Sequence, residues 1–157
     1  MKPRYKTTYT TIHALMASPT APMPERLRVH QLGIMWKALD GLRSTNPNNV
    51  SNWRICSDAV NMMETLIDGG LCEDPGNLVA DAITSLAMSG KRHIQEKEIY
   101  LDNAGMGHMR LVIESYAEML CALPHRTMVH CHIKTERRMQ DIYQGRRRAH
   151  DVEMVAV

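Results

Sequence analysis

Apolar side chains recur in steps of three and four along most of the chain. The cleanest run is Met106, Met109, Ile113, Tyr116, Leu120 and Leu123. That spacing puts all six on one helical face. It predicts a helix that follows an Asp102 or Asn103 cap, runs to about Leu123 and breaks at Pro124. A thinner stripe, Met128, Val129, Cys131, His132, Met139 and Ile142, predicts a second, basic amphipathic helix from about His125 to Tyr143, closed by Gly145.

Three more helices are predicted upstream. One opens at Pro24–Glu25 with Leu32, Met35, Leu39 and Leu42 as its stripe. Leu27, Ile34 and Trp36 widen that stripe, so this helix is expected to be covered on two sides. It ends near Gly41–Ser44, before the turn-forming STNPNN loop. The next starts near Asn49–Ser51, carries Trp53, Cys56, Val60, Met63 and Ile67, and stops at Asp68-Gly69-Gly70. The third opens at Asp74-Pro75, turns Val79, Ala82, Ile83 and Leu86 inward, and ends at Gly90. Residues 91–102 read as a loop with a short extended piece at Glu98–Leu101. Residues 1–22 show no sustained pattern and read as a flexible arm.

The elements add up to an all-α, compact bundle of about five helices. The division is an arm over 1–22, the bundle over 23–145 and a tail over 146–157. The helices starting near Asn49 and Asp102 form its central pair.

Composition changes this picture in one respect. The 157 residues include no Phe and 13 Met. Met is flexible and fills irregular gaps, so the chain has either an adaptable core or a Met-rich binding surface. Charge changes it in another. The net charge is only +2, yet residues 124–150 carry +5 and residues 1–22 carry +3. Basic ends and an acidic middle suit contact with nucleic acid or with a charged protein. Candidate contact residues are Arg126, Lys134, Arg137, Arg138, Arg146, Arg147 and Arg148, with Arg4, Tyr5, Lys6 and Tyr9 in the arm. The polar first residues and the lack of a long apolar run point to a cytoplasmic protein with free thiols and no membrane partner.

Candidate chemistry is sparse. Cys121, His125, His130, Cys131 and His132 are metal-ligating types. Helical spacing splays residues 130 to 132 around the axis, so they do not converge on one ion. The Gly105–Gly107 pair is a flexible helix entry rather than a phosphate loop. Glu114 faces solvent four residues after Arg110, an ordinary surface pair. No catalytic residue, metal or cofactor is expected.

Several segments, HALMAS, PMPERLRVHQLGIMWKALDGLR, NWRICSDAVNMMETLID, GKRH followed by IYLDNAG, and ESYAEMLCALP, stand in an order with a known counterpart. That order resembles small uncharacterised helical proteins encoded by bacteriophages and integrated mobile elements of proteobacteria, across about residues 13–143. The resemblance implies a mobile-element context and the binding of a host macromolecule. The expectation is therefore a non-enzymatic interaction protein that binds and modulates or inhibits a host protein or protein–nucleic-acid complex, for example as an anti-CRISPR-type inhibitor. The alternatives are a nucleic-acid-binding regulator using the basic C-terminal helix and, with least support, a metal-dependent enzyme. A homodimer through the two-sided apolar first helix is a further expectation.

Overall fold

The computed structural model describes residues 8–74 and 76–145. Its regular structure there is entirely helical: α1 (Thr11–Met16), α2 (Glu25–Gly41), α3 (Asn49–Asp68), α4 (Leu78–Ile94), α5 (Asn103–Ala122) and α6 (His125–Tyr143). The protein is an all-α bundle, with one helix more than the hydrophobic pattern predicts. α3 lies at its centre and packs on α2, α4, α5 and α6, whereas α1 packs on α6.

The stripes read from the sequence are the core. Trp53, Cys56, Val60 and Met63 of α3 are buried, as are Met109, Ile113, Tyr116 and Leu120 of α5. Each such large apolar side chain contributes about 1.5–3 kcal/mol relative to exposure. The Trp53 indole N–H donates to the Leu86 carbonyl at 2.8 Å, so burying its polar edge costs little. At the start of α5 the Asp102 carboxylate accepts the Gly105 amide at 2.7 Å, as the cap prediction requires. Gly105 is there for close approach. A Cβ on it would lie 3.1 Å from Asp102 Oδ1 and 3.3 Å from Ser85 Cβ, so a side chain would push α5 off α4.

Three local expectations change. The segment read as an irregular arm contains α1. Its N-terminus is held by His13, whose Nδ1 accepts the Thr10 N–H at 2.9 Å. Histidine replaces the Glu or Gln that marks a capping box, which hides the helix in the sequence. α4 starts at Leu78 rather than at 75, because Gly76 and Asn77 adopt left-handed backbone (φ 73° and 65°) that no helix continues. α4 then passes through Gly90 to Ile94. Gly90 and Ser89 are buried, and tertiary packing there outweighs the helix cost of glycine, about 1 kcal/mol. The Ser89 hydroxyl donates to the Tyr100 carbonyl at 2.9 Å. The 95–102 connector contains no strand: it turns at 95–96, with Glu96 in left-handed backbone (φ 59°), and is then held where the Leu101 N–H donates to the Leu42 carbonyl at 2.8 Å and the Asn49 side-chain amide donates to the Ile99 carbonyl at 2.6 Å.

Candidate interaction groove

α2 and α6 both lie on α3 but do not form a packed pair. Between them opens a groove of about 600 Å³, whose lining also includes Thr8, Tyr9, His13, Met16 and Ala17. Periodicity explains its walls. α2 contributes Leu27, Gln31 and Ile34; α3 contributes Ile55, Asp58 and Met62; α6 contributes His125, Val129, His132 and Glu136. Each set recurs in steps of three and four and so forms one row along its helix. Met16, Met23, Met35 and Met62 add adaptable apolar surface. The rim is open to solvent: Met16 is 82% exposed, Leu27 42% and Ile34 44%.

Several polar groups of the groove are hydrogen-bonded within the molecule. The Gln31 amide donates to the Tyr116 hydroxyl at 2.8 Å, and that hydroxyl lies 3.2 Å from His132 Nε2. Burial, reinforced by His125, pushes the His132 pKa down to about 4. The imidazole is therefore neutral at pH 7, and its Nε2 shares a hydrogen bond with the Tyr116 hydroxyl. Burial also raises the Tyr116 pKa, which keeps the hydroxyl a donor. The Tyr9 ring lies over His132 with centroids 4.7 Å apart. Burial and then the charge of Glu136 raise the Tyr9 pKa. Glu136 accepts the main-chain N–H groups of Thr8 at 2.7 Å and Tyr9 at 3.4 Å. The Thr65 and Thr135 hydroxyls meet at 2.6 Å beneath, joining α3 to α6.

The candidate basic residues do not form one outward face. Arg126 turns to α1, where Nε donates to the Ala14 and Ala17 carbonyls at 3.0 and 3.2 Å and Nη2 to the Leu15 carbonyl at 3.0 Å. A cation there satisfies the unpaired carbonyls of a helix C-terminus. Arg138 turns to α3, pairing with Glu64 at 3.1 Å and donating to the Asn61 carbonyl at 3.0 Å. The side chains of that pair are 15% and 13% exposed. Lys134 and Arg137 are exposed. Arg146, Arg147 and Arg148 lie outside the described residues, as do Arg4, Tyr5 and Lys6.

The Cys/His cluster is also dispersed. His125 and His132 line the groove, while His130 and Cys121 face solvent. Cys121, one residue beyond the buried Leu120, lies off the α5 stripe and is exposed. Cys131 is buried, and burial raises its thiol pKa, so at neutral pH it is a thiol rather than a nucleophilic thiolate. Among the described residues no group of three or more His, Cys, Asp or Glu is placed to hold a metal ion. None of the described helices is long and apolar enough to cross a membrane.

The groove had one signal in the sequence, the double apolar face of α2. Leu27 and Ile34 are the residues that widened its stripe, and among the described residues they stay about half exposed. The α3 and α6 rows gave no such signal, because their groove residues include Asp58, His125, His132 and Glu136. No family model matches the chain, and no curated protein or solved structure shows significant similarity to it.

Proposed function

We propose that this protein is a non-enzymatic interaction protein, which binds a partner protein through the groove between α2 and α6 and thereby modulates it. One observation carries the reading: an apolar groove of about 600 Å³ with half-exposed Leu27 and Ile34 on its rim. Apolar surface left open and rimmed by polar groups marks a recognition site. Gln31, His132 and Glu136 of the groove are each hydrogen-bonded within the molecule, which suits a fixed wall. A cytoplasmic setting fits the four thiols, none of which is paired in this fold. An inhibitor of a host defence complex, of the anti-CRISPR type, belongs to this class, in line with the resemblance to phage-encoded helical proteins.

The test compares tagged wild-type protein with a Leu27→Glu/Ile34→Glu variant in host lysate. The variant should keep its helical circular dichroism and lose the retained partner. Equal retention by both proteins would refute the groove as the contact. The nucleic-acid alternative has a narrower basis, because Arg126 and Arg138 are engaged inside the molecule. It predicts binding to DNA or RNA that weakens steeply with salt and depends on Lys134 and Arg137.

A further inference from the structure

Residues 8–17 lie along α6 and supply part of the groove lining. Their inward side is small: Ala14 and Ala17 are buried against Val129, with Tyr9 and Ile133 beside them. The larger apolar side chains of α1, Ile12, Leu15 and Met16, are exposed. Docking this segment therefore removes little apolar surface from water, and its departure costs correspondingly little of that kind. A few residues on the situation reverses, and Met23 is buried in the main core cluster.

Two charged side chains of α6 hold the segment at its two ends. Glu136 accepts the Thr8 and Tyr9 N–H groups, and Arg126 donates to the Ala14, Leu15 and Ala17 carbonyls. From Arg126 to Glu136 is about 15 Å along the helix. The bond from Thr10 to His13 joins the extended residues to α1, so a movement at one clamp is carried to the other. Residues 18–21 are anchored separately: the His125 and Arg126 N–H groups donate to the Ala21 and Ser18 carbonyls at 2.8 and 2.9 Å. Such first-turn donors have no acceptor within their own helix. When residues 8–17 lift away, that anchor can stay. Val129 and His132 of α6, covered by Ala14, Ala17 and the Tyr9 ring, then join the open wall of the groove.

We propose that residues 8–17 are a strap, which opens as one unit from an anchor at residues 18–21 and so gates the α6 wall of the groove. The gating rests on the reading of the groove as the contact site, whereas the unit opening does not. Amide exchange on the full-length chain tests the opening. Arg126→Ala and Glu136→Ala, each alone, should speed exchange by about tenfold at both ends of the strap, at Thr8 and Tyr9 as well as at Ala14 and Ala17. A gain confined to the end that each variant frees is fraying and overturns the strap. Binding of Nile red, a neutral apolar dye, tests the gate. Its affinity should rise by about tenfold in Arg126→Ala, in step with the open population, and adding Leu27→Glu/Ile34→Glu should cancel the gain. Equal affinity for wild type and Arg126→Ala, or a gain that survives Leu27→Glu/Ile34→Glu, overturns the gate. The groove reading then still stands or falls on the lysate comparison. Should Arg126→Ala lose the near-ultraviolet circular dichroism of the core, Arg126→Lys carries both readouts with smaller gains.

Discussion

The body formed by α2 to α5 and the flank formed by α1 and α6 are built from different interactions. In the body Trp53, Val60, Met63, Met109 and Ile113 are completely or almost completely buried in one apolar cluster. The flank shares that cluster through Met128 and Cys131, and α1 meets α6 in a separate patch of Ala14, Ala17 and Val129. Polar bonds hold the flank together, Arg126 on α1 and Glu136 on Thr8 and Tyr9, and others tie it to the body, Arg138 on Glu64, Thr135 on Thr65 and His132 on Tyr116. Apolar burial is non-directional and hardly responds to pH. Hydrogen bonds and ion pairs are directional, and some titrate. The flank is therefore the part expected to open first, below the free energy of global unfolding. It is also one wall of the groove.

The largest effect should come from attacking the body. Trp53→Ala removes a buried indole and its bond to Leu86, and should cost about 3–5 kcal/mol in urea unfolding. A loss confined to the flank, with the body intact, would break the contrast between the two regions.

Acid is the next lever, and it acts on the flank. His132 has its pKa lowered to about 4, against about 6.5 in an unfolded chain. Between those values the unfolded state binds more protons. Stability is thus fully present above about pH 6.5 and is lost as pH falls towards 4, by an amount on the order of 2–3 kcal/mol. The groups facing the ring are the Tyr116 hydroxyl, the Tyr9 ring and His125. Urea midpoints at pH 7 and pH 4.5 should therefore converge in His132→Gln. If that variant keeps the full pH dependence, the titration belongs elsewhere.

Arg126→Ala tests the flank alone. It should free α1 by about 1–2 kcal/mol, seen as faster amide exchange over Thr11–Met16, with little change in the urea midpoint of the body. The smallest effect belongs to the solvent side. Arg110 and Glu114 are 3.8 Å apart and largely exposed, so Arg110→Ala should shift stability by less than about 0.5 kcal/mol.

Legibility in the sequence follows the same division. The α5 row of Met109, Ile113, Tyr116 and Leu120 was readable because burial by water exclusion needs only periodicity. α1 was not, because its N-terminus depends on His13, a residue outside the usual capping set. Arg126 and Arg138 were read as an outward basic face, since helical position says where a side chain starts and not what it meets. Their partners, the α1 carbonyls and Glu64, are more than 70 residues away in sequence. The groove lay between these cases: α2 announced a second apolar face, but its opposing wall is made of polar residues that no hydrophobic pattern selects.

Arg126 grips α1 through the main-chain oxygens of Ala14, Leu15 and Ala17 alone. Such a clamp is blind to side-chain identity. As long as Ala14 and Ala17 stay small enough to sit on Val129, the outward positions Ile12, Leu15 and Met16 can be rewritten without loosening the helix. That short turn is thus a natural place to graft a label or to retune what the rim of the groove accepts, leaving the rest of the molecule untouched.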